Sequence, residues 1–321
     1  MKLFDLHCDT AGECYNNKIP LADNNLHINL CKGDILDEWC QVFAIWIPDD
    51  LRGRNAYDYY EKVLENHKKE ISLNSDKIKM CQRFSDVENA VKNGKCAAIT
   101  AVEGGSPFAD NDAIFIAKEQ GVKLITLTWN AENELGYGCQ SGSESGLKEC
   151  GKVLLRNMRD LGIVADVSHL NRAGFYDAVS SGAKVIATHS DSESVLLKTR
   201  KDSEDKFFSC RRSLNDEQIK LLIECNGLIG INFCKSFLGD EGDDGFEAVY
   251  RHISHILNLG GENVLAIGSD FDGCEINPEL AGIDKIPDLF AFLNGKGMEI
   301  PLLDKIFYDN AMKFFKNVLH S

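Results

Sequence analysis

Short apolar runs alternate along this chain with segments whose apolar residues recur at helical spacing. The runs predict eight strands, at residues 3–10, 39–47, 96–102, 122–128, 163–167, 184–187, 227–233 and 263–267. The pattern between them predicts helices over 55–71, 112–119, 147–161, 171–180, 215–224 and 247–257, with two C-terminal helices near 287–293 and 302–318. A polar, charged insertion over 198–210 is predicted to be a loop.

Eight strands that alternate with helices favour a (β/α)8 TIM barrel of the α/β class. A doubly wound open sheet gives the same alternation, but no Gly-x-Gly-x-x-Gly follows the first strand, so the usual dinucleotide-binding sequence is missing. Polar residues also end strands that lie far apart in sequence, and a closed ring would bring those ends together. We therefore predict a single barrel domain over residues 1–321, with the C-terminal helices added to it.

Composition narrows the class of protein. The chain of 321 residues is 44% hydrophobic and 26% charged, which is typical of globular proteins. A net charge of -15 argues against nucleic acid or an anionic membrane as partner. The 12 cysteines are scattered and form no CxxC pair, so we expect them to be reduced thiols. No stretch approaches the roughly 20 apolar residues of a membrane span, and Asp5 interrupts the apolar start, so we expect a cytoplasmic protein.

Residue types that bind metals end five of the eight predicted strands. They are His7 and Asp9, Glu103, His169, His189, and Asp270 with Asp272. Alone, each has an ordinary structural explanation, such as a hydrogen-bonded histidine or an aspartate in a turn. Together they lie at the barrel end where active sites are built. Imidazoles and carboxylates suit zinc or a similar divalent ion, and a pair of ions about 3.5–4 Å apart, bridged by a carboxylate and a hydroxide, would use all of them.

The order of these motifs resembles the renal or membrane dipeptidase family, peptidase family M19, a branch of the metal-dependent amidohydrolase barrels. The motifs are Asp-x-His-x-Asp, Glu-Gly-Gly, Asp-x-x-His, Thr-His-Ser and Gly-Ser-Asp-Phe-Asp-Gly, and the resemblance runs from Asp5 to about Phe314. It implies a metal-dependent hydrolase barrel with two divalent ions, most simply zinc, and a homodimer. One ion would be held by His7, Asp9 and Glu103, and Glu103 would bridge to a second ion held by His169 and His189.

The resemblance also implies roles for substrate-handling residues. Asp270 would lie beside the metal-bound water and the substrate amine, take a proton from the water and pass it to the leaving amine. Arg212 would bind the free carboxylate of a dipeptide, and Arg211 is the alternative register. Two departures from the family pattern concern substrate. Leu127 stands where family members often carry an oxyanion-stabilising histidine, and the 198–210 insertion lengthens the segment before Arg212.

Three functions fit these residues. The favoured one is a zinc-dependent dipeptidase that cleaves the peptide bond with a bridging metal-bound hydroxide. Leu127 motivates two alternatives, a binuclear hydrolase of another small amide or a lactone, and a metal-binding homologue without catalysis. The substrate side chains and their stereochemistry stay open.

Overall fold

Nine strands occur among the residues that the computed structural model describes, which are 1–110, 112–199, 204–239 and 244–319. They are β1 (Lys2–Cys8), β2 (Glu38–Trp46), β3 (Ile78–Met80), β4 (Cys96–Glu103), β5 (Val122–Thr126), β6 (Val164–Asp166), β7 (Val185–Ile186), β8 (Ile229–Ile231) and β9 (Leu265–Ile267). Eight pair in parallel in the order β7-β6-β5-β4-β2-β1-β9-β8. A further parallel bridge between Ala187 and Ile229 links β7 to β8. The predicted (β/α)8 barrel is thus confirmed, and the short β3, which pairs with β4 beside the ring, was not predicted.

Helices follow most of the barrel strands. They are α1 (Thr10–Asn17), α2 (Gly53–Leu73), α3 (Phe84–Lys92), α4 (Ala113–Gln120), α5 (Glu149–Leu161), α6 (Arg172–Ser180), α7 (Glu193–Thr199), α8 (Glu204–Arg212), α9 (Asp216–Glu224), α10 (Lys235–Leu238), α11 (Gly245–Asn258), α12 (Ile286–Gly295), α13 (Ile300–Asp304) and α14 (Asn310–Val318). A π-helical turn, Lys305–Asp309, joins the last two. Within the described ranges, none of these helices has both the length and the apolar character needed to cross a membrane.

Alternate strand residues fill the barrel interior. On β4 these are Ala97, Ile99 and Ala101, which belong to the inner apolar cluster and are 4% exposed or less. Phe4 on β1 stacks on Phe315 of α14 with 4.9 Å between ring centroids, so the C-terminal helix closes the N-terminal end of the barrel. Because side chains alternate along a strand, continuing the inner row of β4 by two residues places Glu103 inside the opposite, C-terminal end.

The insertion predicted as a loop over 198–210 is largely helical where it is described. The end of α7 covers 198 and 199, and α8 covers 204–210, while 200–203 lie outside the described residues. Phe208 packs on Phe237 with ring centroids 5.7 Å apart, and Cys210 is buried. The basic residues that end α8 suit the negative end of a helix dipole. The prediction was wrong because the charge of this segment concealed a helix with one packed face.

Acid is expected to destabilise the fold through His252, which α11 buries completely. Its Nδ1 accepts the Ser192 N–H at 3.1 Å and its Nε2 donates to the Leu238 carbonyl at 2.9 Å. Burial lowers the pKa of His252 to about 4, because a charged imidazolium would lose its hydration in the protein interior. In the unfolded chain the pKa of His252 is near 6.5, so below that pH the unfolded state binds more protons than the folded state. The stabilisation present above about pH 6.5 is therefore lost as the pH falls toward 4.

We expect His252 to cost about 2–3 kcal/mol of unfolding free energy between pH 7 and pH 4.5. Urea unfolding of metal-free protein at both pH values would measure this loss. His252→Gln keeps an amide donor and does not titrate, so its unfolding free energy should fall less with acidification. Asn258→Gln, an exposed and non-titrating position on the same helix, is the matched control and should follow the wild-type slope. Equal slopes for wild type and His252→Gln would contradict the prediction.

Candidate active site

The carboxyl ends of the strands bring all six of the predicted metal-binding and catalytic residues into one buried cluster. His7 Nε2 lies 3.3 Å from Asp9 Oδ2, 3.7 Å from Glu103 Oε2 and 4.0 Å from Asp270 Oδ1. The other carboxylate oxygen of Glu103, Oε1, lies 3.0 Å from His169 Nε2 and 3.3 Å from His189 Nε2. Glu103 therefore stands between two groups of donors, one facing each of its oxygens.

An irregularity in β1 turns His7 toward this cluster. Leu6 belongs to the inner apolar cluster of the barrel, so regular alternation would turn His7 outward. The pairing register of β1 with β2 shifts between Asp5 and Cys8, and this lets consecutive side chains both face inward. Asp9 follows the strand as the residue before α1. A shared strand face is therefore not what brings His7 and Asp9 together, because Asp9 lies beyond the end of β1 and His7 is turned inward by the irregularity.

A buried carboxylate anchors this irregular strand. Asp5 accepts the Ser269 N–H at 2.8 Å, the Ser269 hydroxyl at 2.6 Å and the Gln41 side-chain amide at 2.8 Å. Burial raises the pKa of Asp5, and these donors oppose that shift. The hydrogen bonds tie β1 to β2 and to the end of β9, and so fix the strand that carries His7.

The two later histidines are oriented through their Nδ1 atoms. His169 Nδ1 lies 2.8 Å from Asn130 Oδ1, and His189 Nδ1 lies 2.7 Å from Thr188 Oγ1. The Thr188 hydroxyl donates its hydrogen to Asp166 at 2.6 Å, so it accepts from His189. With Nδ1 as the donor in each ring, both Nε2 atoms carry the lone pair that a metal ion needs.

Asp166 lies near His7 and His189 but is already satisfied. Its oxygens accept from the Thr126 hydroxyl, the Ser168 N–H, the Thr188 N–H and the Thr188 hydroxyl, at 2.6–3.0 Å. Four donors leave this carboxylate little capacity to bind a cation. We therefore assign it to positioning His189 through Thr188.

Several atoms that face the centre of the cluster have no protein partner. Among the described residues, His7 Nε2, Asp9 Oδ1 and Glu103 Oε1 are buried without a hydrogen bond. Burying polar atoms in this way is costly unless something else binds them. Two groups, Glu103 with His169 and His189, and His7 with Asp9 and Asp270, each present three donor atoms within 4.8 Å of one another. The donor set and the orphaned atoms fit a pair of divalent ions.

The pKa shifts of the cluster residues also favour bound divalent ions. Burial, helped by the nearby Arg212 guanidinium, holds the pKa of His169 well below its usual range, and burial with the charge of His7 does so for His189. Burial also raises the pKa of Glu103 well above that of an ordinary carboxyl group. Burial alone would lower the pKa of His7, but three neighbouring carboxylates raise it to about 10. Without a metal ion the neighbouring carboxylates thus hold a proton on His7, and a bound cation would displace that proton and supply the positive charge instead.

Asp270 and Asp272 have different surroundings, although they are two residues apart. Asp270 has φ 60°, its N–H donates to the His7 carbonyl, and its Oδ2 accepts the Asn232 side-chain amide at 3.0 Å. The carboxylate of Asp272 instead accepts from the Thr10 hydroxyl and the His27 N–H, each at 2.6 Å. Asp270 thus faces the cluster, and Asp272 fastens the segment around His27.

Arg212, at the end of α8, is buried beside the cluster. Its Nη2 donates to the His189 carbonyl at 2.8 Å and its Nη1 to the Ser190 hydroxyl at 3.0 Å. Three of its five N–H donors stay available, including a buried Nε–H without a partner. Arg211, the alternative register, instead lines a neighbouring cavity of about 530 Å³ and rests on the Phe207 ring.

Leu127 does not face the cluster, which corrects the consequence drawn from it. Leu124 packs inside the barrel and the Thr126 hydroxyl bonds to Asp166. Leu127 therefore falls on the outer face, in the apolar layer between strands and helices. Two other residues of this stretch do lie beside the site: Asn130, which orients His169, and Trp129, whose ring centroid lies 6.2 Å from that of His169. Leu127 accordingly removes no hydrogen-bond donor from the site.

Sequence reasoning missed the residues that orient the cluster, above all Asn130 and Asn232. Asn130 lies in a stretch predicted only as a polar loop, and Asn232 lies in a predicted strand that ended without a metal-binding residue type. Strand alternation was the usable signal for Asn232, since it continues the inward row of β8 at the active end of the barrel.

Gly273 allows two carboxylates to approach each other, and its substitution is expected to weaken metal binding. A Cβ atom there would lie 2.1 Å from Asp9 Oδ2 and 2.6 Å from Asp270 Oδ1. Because moving a group around a metal site costs about 10- to 100-fold in affinity, Gly273→Ala should raise the zinc dissociation constant by at least about tenfold. Competition against a chelating dye would measure it. Gly12→Ala, whose Cβ meets nothing within 4 Å, should bind zinc like the wild type, and equal affinities for all three proteins would refute the argument.

Comparison with known proteins places this site in a family. A model of the membrane dipeptidase family, peptidase family M19, matches residues 1–320. The chain is similar to a solved M19 metallopeptidase, dipeptidase AC, with TM-score 0.89 and 26% identity, over 100% of this chain and 99% of that one. It is also similar to a metallopeptidase from Rhodobacter sphaeroides that was solved with a phosphinate mimic of L-Ala-D-Ala, with TM-score 0.88, 25% identity and 99% of each chain covered.

A relative found by sequence is likewise named as a dipeptidase. The dipeptidase tcpJ of Claviceps purpurea is 27% identical over 269 residues, which are 81% of this chain and 58% of that protein. The family match confirms the predicted enzyme class, a metallo-dipeptidase hydrolase, and implies divalent metal ions. The chain belongs to the membrane dipeptidase family, peptidase family M19.

Proposed function

We propose that the protein hydrolyses the peptide bond of dipeptides with two zinc ions. The position of Glu103 carries the proposal, because its two oxygens face two separate groups of donors in a site with orphaned buried atoms. Glu103, His169 and His189 would hold one ion. His7 and Asp9, with the other oxygen of Glu103, would hold the second. Neutral imidazole nitrogen and carboxylate oxygen are donors that zinc accepts in hydrolases.

When bound at these residues, the two ions would lower the pKa of a water molecule so that it can act as the nucleophile at neutral pH, and they would polarise the scissile carbonyl. Asp270 is the residue that we assign to proton transfer. Asn232 holds its Oδ2, and its Oδ1 faces His7 at 4.0 Å, inside the cluster. The carboxylate would accept a proton on the nucleophile side and deliver it to the leaving amine, a general-base and general-acid role in turn.

Arg212 is assigned to the free carboxylate of the substrate. Two of its donors fix the guanidinium to the end of β7, and the remaining three can form a charge-assisted pair. A cation buried next to metal ligands favours a short substrate with a terminal carboxylate. The phosphinate dipeptide mimic in the Rhodobacter sphaeroides structure supports the same substrate class for this chain.

The alternative substrates, another small amide or a lactone, rested on Leu127. Its side chain lies in the outer apolar layer just after β5, so it no longer favours them. Leu127 does not favour a non-catalytic homologue either. Asp270, the residue assigned to proton transfer, faces the cluster and is held by Asn232.

Metal-free protein, reconstituted with zero, one and two equivalents of zinc, manganese or cobalt, should be assayed against a panel of dipeptides with L and D residues at the second position. We expect hydrolysis that requires metal and is highest with two zinc ions. Dipeptides with an amidated carboxyl end are the matched control and should be poor substrates, because Arg212 would have no carboxylate to bind. Absence of hydrolysis for every dipeptide and every metal would overturn the proposal.

A further inference from the structure

A second group of potential metal ligands, Cys234, Cys274 and Asp270, lies beside the candidate active site. We infer that these three residues form an inhibitory site for a third, thiophilic divalent ion, such as excess zinc or cadmium. The inhibitory part rests on the proposed function, since it acts through Asp270. The binding part depends on the two thiols and the carboxylate alone.

The three donor atoms already lie close together. The two sulfur atoms and a carboxylate oxygen are within 4.8 Å of one another. Cys234 and Asp270 are 5% and 7% exposed, so the ion would lose most of its contact with solvent. Cys274 is only half-buried, which leaves a route for an ion from solvent.

Backbone pairing holds together the two segments that carry the thiols. The segments that follow β8 and β9 meet in an antiparallel bridge between Cys234 and Ile276, and the Lys235 N–H donates to the Glu275 carbonyl at 2.9 Å. The Cys234 N–H also donates to Asn232 Oδ1 at 2.6 Å, and the Cys274 thiol lies 3.6 Å from the Asp270 carbonyl. Binding therefore needs a small approach of side chains that are already held together.

Two sulfurs and one oxygen are a donor set for a tetrahedral soft ion. Thiolates select zinc and cadmium-like ions over magnesium or calcium, and water would fill the fourth position. The ion displaces one proton from each thiol, so two protons are released to solvent and no electrons are transferred. Because both protons must be displaced, we expect this site to fill after the two ions at Glu103.

An ion at this site would inhibit through Asp270. Its carboxylate is the group assigned to proton transfer, and Asn232 already holds one of its oxygens. Coordination by a third ion would remove the basicity on which the transfer depends. The protein should therefore be activated by two zinc equivalents and inhibited by more.

Cadmium can report this site directly, because cadmium bound to thiolates absorbs in the ultraviolet and cadmium bound to imidazoles and carboxylates does not. Among the described residues, no other group of potential metal ligands contains a cysteine. Titrating cadmium into protein loaded with two zinc ions should give an absorbance that saturates at one equivalent. Cys234→Ser and Cys274→Ser should each need at least about tenfold more cadmium, since even residues outside a ligand shell change affinity by about 10- to 100-fold.

The exposed thiols Cys31 and Cys225 supply the control, and the double serine variant should titrate like the wild type. In the activity assay, inhibition by excess zinc is measured relative to the maximal rate of each variant, and Cys274→Ser should need at least about tenfold more zinc. An absent cadmium signal, or one undiminished in both serine variants, would overturn the site. Unshifted zinc inhibition would overturn its inhibitory role. The cadmium titration tests the site even if the protein cleaves no dipeptide. A failure of the cadmium site can therefore be told apart from a failure of the proposed function.

Discussion

Asp270→Asn is expected to lower kcat by about 10²- to 10⁴-fold, the usual contribution of a positioned general acid or base, while two zinc ions stay bound. Asparagine has nearly the shape of aspartate, and its side-chain oxygen can still accept the Asn232 amide. It cannot take a proton from the nucleophile or return one to the leaving amine. The loss should therefore fall on kcat, with the zinc content unchanged.

Steady-state kinetics on the best dipeptide, together with zinc content from elemental analysis, would check this result. Asp272→Asn is the matched control. It changes the same atoms two residues away, where the carboxylate binds Thr10 and the His27 backbone, and should reduce stability more than kcat. If Asp270→Asn loses an ion along with its activity, Asp270 acts as a ligand with His7 and Asp9, a grouping that the distances also allow.

The barrel and the gathering of its polar strand ends could be predicted because both follow from simple periodicity. Glu103 illustrates this, since the inward row of β4 extends to it by alternation. The same parity, applied to β5, would have placed Leu127 outside, because Leu124 is inside. The prediction for Leu127 rested on the motif resemblance and did not use strand alternation.

Other features depended on contacts that one sequence does not reveal. His7 faces the cluster only because β1 shifts register between Asp5 and Cys8, and Asp5 is anchored by Ser269, more than 260 residues away. The helix α8 forms around the packing of Phe208 on Phe237, while its charge suggested a loop. Polar residues such as Asn130 act through a single partner, so they resemble any loop residue until the histidine beside them is placed.

Replacing Glu103 by glutamine is expected to change stability in opposite directions with and without metal. Burial raises the pKa of Glu103, so the folded metal-free protein binds more protons than the unfolded chain above the ordinary carboxyl pKa. The free energy of unfolding of the wild type then falls as pH rises through that range. Glutamine resembles the protonated form and removes this penalty. Metal-free Glu103→Gln should therefore be at least as stable as the wild type at pH 7, with the difference vanishing in acid.

Zinc should reverse this order. An ion present at 100 times its dissociation constant adds about 2.7 kcal/mol, so two ions would stabilise the wild type by about 5 kcal/mol. The side-chain amide introduced by Glu103→Gln offers one oxygen in place of two, so it cannot serve both donor groups, and the gain should fall to less than about 3 kcal/mol. Urea unfolding of the wild type and of Glu103→Gln, once with a chelator and once with zinc, would measure the unfolding free energies without and with metal. Glu134→Gln makes the same change to a half-buried carboxylate that instead binds Ser106, so it should keep the full zinc gain. A zinc gain in Glu103→Gln as large as in the wild type would mean that Glu103 does not bridge two ions.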